Sequence, residues 1–280
     1  MPVTAGAQDI DPDEDLSATL HHIGKDKLAP ARARLANSRE TRAFLELGLA
    51  LLRSDLVEHT GPDFEQGFRS RLFESLSRKR LVALAQDDDF ARTLCLGDNM
   101  FRNRWPHKND YTEDLIAYLF RTGPQERHIE EMAEAGRALI RHSSLGDLAR
   151  ALAAAEMAAI TEDSLSSIQA IMQAALPSHP RVQEFARAQY DFLLPRWGQL
   201  YAEITAAYGL SLADRYTWDD VAVLFNSVAE SAFLRKRVEG QEPRLANGEG
   251  VLVGAIFTML PVLLVNCPDD LDSCYAIQDT

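Results

Sequence analysis

Cysteine is scarce in this chain, with only Cys95, Cys267 and Cys274 among 280 residues. None stands in a CxxC pair and no histidine cluster lies beside them, which excludes a zinc-finger ligand set. So sparse and odd a set predicts reduced thiols rather than a disulfide framework. Long apolar runs are missing as well. The most apolar stretch, Val251 to Val265, has 15 residues and is interrupted by Gly254, Thr258 and Pro261. A bilayer span needs about 20, so the stretch is expected to be a buried helix and no membrane partner is expected. The opening MPVTAGAQDIDPDEDL has neither the basic nor the apolar region of a signal peptide, and the cytoplasm is the expected compartment.

Chemistry-bearing motifs are equally thin. The chain has no GxGxxG, no GxxxxGK[ST], no GxSxG and no HExxH. Its seven histidines are scattered, and paired acids such as Glu130-Glu131 and Asp219-Asp220 read as solvated-face or helix-start charges. Neither catalytic residues nor a metal or cofactor are expected, and the protein does not read as an enzyme. Basic charge is in deficit too. With 29 Lys and Arg against 42 Asp and Glu the formal net charge is −13, a poor balance for general nucleic-acid binding.

The basic residues that are present concentrate locally. Between Gly67 and Lys108 there are nine (Arg69, Arg71, Arg78, Lys79, Arg80, Arg92, Arg102, Arg104, Lys108) against five acids (Glu74, Asp87, Asp88, Asp89, Asp98). Abundant Ala and Leu, with few turn clusters between alternating apolar runs, predict an all-α fold. Residues 1–15 hold five acids and are expected to be disordered. Short helices broken at Gly24 and Pro30 follow. Ser38 is placed to cap a helix running to about Ser54. Another helix is expected over Phe64–Leu76, and longer ones over Gln125–His142, Leu145–Ile160, Asp163–Ala175, His179–Tyr208, Thr217–Val238 and Gly248–Val265.

Between them stands a shorter arrangement. Phe90 to Leu94 forms a small helix behind Asp87-Asp88-Asp89, Cys95-Leu96-Gly97 forms a turn, and Asp98 is placed to cap a second helix, Asn99 to Arg104, ended by Trp105-Pro106. A third helix is expected from Tyr111 to Arg121. Two short helices joined by a tight turn make a helix-turn-helix, whose second helix fits the major groove. Phe90, Ala91, Leu94, Leu96 and Phe101 supply its apolar side. Asn99, Arg102, Asn103 and Arg104 are expected to face outward, where Asn suits adenine and Arg suits guanine or phosphate, and Lys108 is placed to meet a backbone phosphate.

The run from Asp89 to Lys108 resembles the helix-turn-helix signature of the tetracycline-repressor-like (TetR) family. Phe90-Ala91 matches its Ile-Ala positions, Leu96 its apolar turn position, Phe101 the core position of the recognition helix, Trp105 the closing aromatic and Lys108 the phosphate-contacting lysine. Cys95 replaces a usual Gly, Gly97 a usual Ser or Thr cap, and Arg102 a usual Tyr. More loosely, Tyr111–Arg121 resembles the family's linking helix. Trp197–Tyr208, Tyr216–Ala222 and Phe233–Arg235 resemble the end of its regulatory domain.

The resemblance implies a bacterial transcription regulator that binds a palindromic double-stranded DNA operator as a homodimer and is released by a small apolar ligand. It implies an acidic extension over 1–37 and a three-helix DNA-binding domain over 38–122, with an insertion near 55–82. A larger helical regulatory and dimerisation domain would follow over 123–266, and a tail over 267–280. The DNA-contacting set is Asp98, Asn99, Arg102, Asn103, Arg104, His107 and Lys108. Met132, Met157, Met172, Phe192, Trp197, Tyr201 and Phe225 are candidates to line an apolar effector pocket. Gly248–Val265 is apolar almost all round and is expected to be covered on more than one face, by Trp218–Leu234 and by its symmetry mate. The alternative is a diverged ligand-binding or protein-interaction module that no longer binds DNA, with residues 55–82 covering Arg102 and Asn103.

Overall fold

The computed structural model describes residues 13–57, 73 and 76–277. All of the helix expected over Phe64–Leu76 except Phe73 and Leu76, and most of the acidic segment 1–15, lie outside the described residues, as does much of the insertion near 55–82. The described chain is all-α: α1 (Ala29–Ala36), α2 (Arg39–Leu56), α3 (Arg78–Asp87), α4 (Asp89–Thr93), α5 (Asp98–Arg104), α6 (Lys108–Leu119), α7 (Gly123–Ile140), α8 (Leu145–Glu162), α9 (Ser164–Ala175), α10 (Pro180–Ala207), α11 (Trp218–Glu239) and α12 (Val251–Leu263). The strands are a single two-residue ladder, in which Ser211–Leu212 pairs antiparallel with Leu264–Val265. Among the described residues no helix is long and apolar enough to cross a membrane.

Local chemistry sets most of the boundaries. Ser38, Ser77, Asp88, Ser144 and Thr217 each accept a backbone N–H of the following first turn, satisfying donors the helix itself leaves open. At α11 the cap is reciprocal: Asp220 reaches back to the Thr217 backbone N–H. Gly240, at φ +75°, closes the same helix in the left-handed region that costs glycine nothing. Pro30, expected to break a helix, instead sits in the first turn of α1, where a missing N–H does no harm.

The chain divides into two compact units, Met1–Arg121 with Ser164–Arg187, and Thr122–Asp163 with Ala188–Thr280. The break after Arg121 falls within one residue of the expected one at 122, but there is no break at 37, and Ser164–Arg187, expected in the second domain, belongs to the first unit. Leu16, Leu20 and Ile23 are buried in the first unit's core, so residues 16–23 are a built part of it rather than an appended extension. That core also takes Leu165, Ile168 and Met172 of α9 and Val182 and Ala186 of α10. Four aromatics meet at its centre. Phe101 lies 5.4 Å from Phe44, 5.4 Å from Trp105 and 5.0 Å from Tyr111 between ring centroids. Such contacts add about 0.5–1.5 kcal/mol each beyond area burial. Tyr111 donates its hydroxyl to the Phe44 carbonyl at 2.7 Å. Gly48 makes room for it, since a Cβ there would stand 2.1 Å from the Tyr111 oxygen.

The second unit is built on Leu145, Leu148, Leu200, Ile204, Val221, Phe225 and Leu260, and on Leu271 and Cys274 of the expected tail, which is therefore core rather than appendage. α12 packs against α8 and α11 of its own chain. The contact with α11 is the one expected of Trp218–Leu234, and α8 covers a further face from the same chain.

Candidate functional site

In the first unit, α4 and α5 are short, and each is fixed by its buried side. Ala91 of α4, Leu96 of the turn and Phe101 of α5 are buried, and Phe90 and Leu94 pack partly buried against the same core. The turn depends on Cys95, which adopts φ +52°, a left-handed conformation unusual for a residue bearing a Cβ. The resemblance places a glycine there, and the geometry explains why one suits it. Gly97 rather than Asp98 is the N-cap of α5 and provides no side-chain cap. Asp98 is already helical and serves as an acid in the first turn.

The predicted contact residues then separate. Asn99, Arg102 and Asn103 are exposed on α5, and His107 and Lys108 are exposed at the start of α6. Asp98 is half-buried and ion-paired with Arg78 and with Arg102, the latter at 2.9 Å. Arg104 corrects the expectation that it faces outward, because it is 5% exposed. Its guanidinium donates to Thr41 Oγ1 at 2.8 Å, Ser38 Oγ at 3.0 Å, Glu40 Oε2 at 3.2 Å and the Met100 carbonyl at 3.1 Å. Burial presses its pKa below the usual guanidinium value, opposed by the Glu40 charge. Three of those acceptors lie at the N-terminus of α2, so Arg104 ties α5 to α2. Trp105, the closing aromatic, is fully buried and donates Nε1–H to Asp114 Oδ2 at 2.8 Å. Burial raises the Asp114 carboxyl, while the Trp105 bond and the His22 backbone N–H pull it back.

The second unit contains a cavity of about 840 Å³, its opening to solvent included. Met132, Trp197, Tyr201 and Phe225 of the predicted pocket set line it, with aliphatic walls from residues such as Leu148, Leu200 and Leu260. The other three predicted residues lie elsewhere. Met157 belongs to a neighbouring cluster with Ala153 and Leu252, Met172 is fully buried in the first unit's core, and Phe192 carries the Arg196 guanidinium over its ring at 3.5 Å. Sequence reasoning named apolar residues by type, and type does not distinguish a cavity wall from solid core.

Polar groups in the cavity are few: Glu156, Thr205 and Asn226, besides the Tyr201 hydroxyl. The Thr205 hydroxyl donates to the Tyr201 carbonyl at 2.8 Å. The Asn226 amide donates to Glu230 Oε1 at 3.1 Å. Glu156 Oε2 lies 2.5 Å from His128 Nε2. Burial opposes an imidazolium, but the hydrogen bond and charge of Glu156, with Glu131 and Asp163, outweigh it and His128 is raised above its usual value. Burial and the Glu156 charge raise the Tyr201 phenol. Glu156 had a signal in the sequence, being the only charged residue in Ala151–Ile160. His128 had none.

Comparison with protein-family models, with curated proteins and with solved structures finds no match. What the fold and sites define is an all-α protein with one short helix pair presenting Asn and Arg to solvent and one apolar cavity holding a single carboxylate.

Proposed function

We propose that the protein is a ligand-responsive transcription regulator of the tetracycline-repressor type, reading duplex DNA through α5 as a homodimer. The observation carrying this reading is that Asn99, Arg102 and Asn103 stand exposed on a short helix anchored from behind by Phe101 and Arg104. Asn and Arg are the side chains that make paired hydrogen bonds to adenine and guanine edges. His107 and Lys108 follow at the exposed start of α6, where a phosphate contact would fix register. The homodimer is supported by α11. Val223, Leu224, Leu234 and Val238 are exposed on it and, at about 100° per residue, fall in one stripe roughly 100° wide. The cavity supplies a place for an effector.

The second reading, a ligand-binding module without DNA affinity, is favoured by charge. Arg102 is engaged by Asp98, Arg104 is buried, and Asp87 and Asp89 are exposed close by in sequence. Duplex selection from a random pool with the purified full chain separates the two. The regulator reading predicts a two-fold symmetric motif and affinity that falls steeply with salt. Arg102→Ala should weaken that binding by about tenfold, the value of one good base contact, and leave the fold intact. A pool that yields no motif removes the regulator reading and leaves the second.

A further inference from the structure

The cavity walls are apolar and aromatic, yet one charged side chain lines them among the described residues, and it is an acid. Glu156 has one oxygen, Oε2, held by His128, while Oε1 carries no hydrogen bond among the described residues. Three rings line the same cavity. Trp197 and Tyr201 are stacked with centroids 5.8 Å apart, and Phe225 meets Tyr201 edge-on at 5.6 Å. Ring faces attract cations electrostatically, most strongly where water is excluded. A carboxylate beside them adds an opposite charge, whereas an anion would be repelled by it and a neutral body would gain nothing from it.

We infer that the cavity binds an amphiphilic organic cation, its ammonium group placed against Glu156 and the Trp197–Tyr201–Phe225 rings and its apolar body against the aliphatic walls. The inference rests on the reading of the cavity as an effector site and gives that effector its chemistry. Glu156 provides charge selectivity and the rings provide a surface that does not require hydrogen-bond donors, so quaternary and protonated amines are both accommodated. Leu148, Leu200 and Leu260 set no polar demand on the remainder of the ligand.

The test is equilibrium dialysis of the unaltered full chain, without DNA, against three probes of similar shape: benzyltrimethylammonium, its uncharged carbon analogue neopentylbenzene, and phenylacetate. The cation is expected to bind at least about tenfold more tightly than the carbon analogue, with phenylacetate weakest. Glu156→Gln is expected to cut that preference for charge back to the share the three rings supply, with near-ultraviolet circular dichroism reporting on folding. If that variant does not fold, the probe ranking on the unaltered chain still decides. Neopentylbenzene binding as well as the cation overturns the inference, as does failure of all three to bind. Because the assay contains no DNA, its outcome is independent of the duplex selection. An amine preference with no DNA motif overturns only the regulator reading.

Discussion

Replacing Arg104 by Ala tests whether this residue is structural or a contact to DNA. In the folded protein the guanidinium is 5% exposed and serves four acceptors, three of them at the N-terminus of α2. Removing a buried charged partner outright costs about 3–5 kcal/mol when the group left behind is also buried and charged. Here the discount is specific. The Glu40 side chain is 33% exposed and can hydrate once released. Thr41 keeps its own donation to the Leu35 carbonyl at 2.6 Å, and the Ser38 hydroxyl keeps Thr41 Oγ1 at 3.1 Å. The expected loss is therefore about 2–3 kcal/mol, which for a chain of this size lowers the melting midpoint by roughly 5–10 °C. Urea and thermal unfolding followed by far-ultraviolet circular dichroism measure it. Arg104→Lys keeps a charge but not the fork geometry and should recover only part of the loss. An Arg104→Ala protein that melts with the wild type and fails only in DNA binding would refute the structural role.

Cys95→Gly should stabilise the first unit by about 0.5–1 kcal/mol. It relieves a left-handed backbone at φ +52° and concedes some unfolded-chain entropy, and denaturant midpoints report the balance. His128, raised in the folded state by its Glu156 contact, should stabilise the protein fully below its unfolded value of about 6.5 and lose that contribution as pH rises through the higher folded value. Proton NMR of the imidazole across pH 5–9 should therefore show it titrating above about 6.5, and Glu156→Gln should bring it down, leaving burial opposed only by the Glu131 and Asp163 charges.

Much of the fold was legible because helix starts are written in side chains that do one job. Ser38, Ser144 and Thr217 appear at the heads of apolar-periodic stretches, and each begins a helix within a residue. The α4–turn–α5 unit was legible from Phe90, Ala91, Leu96 and Phe101, whose spacing alone demands a buried side. Arg104 was misread because Arg102 and Asn103 before it are polar. Its partners Ser38, Glu40 and Thr41 stand over sixty residues earlier, and no local pattern records that contact. The cavity was only half legible. Trp197 and Tyr201, four apart on α10, share a face by spacing, but Phe225 joins them from α11 and the His128–Glu156 pair meets from α7 and α8, which no sequence spacing records.

The first unit is completed by a segment that arrives late. Leu165, Ile168, Met172, Val182 and Ala186 enter a core otherwise drawn from residues before Arg121, with Thr122–Asp163 synthesised in between. At ordinary translation speeds of about 5–20 residues per second, several seconds separate emergence of Arg121 from that of Arg187. Through that interval α2 has no α9 to pack against, so the nascent chain carries an uncovered apolar face that a chaperone can recognise. A fragment cut at Arg121 would carry the same exposed face permanently.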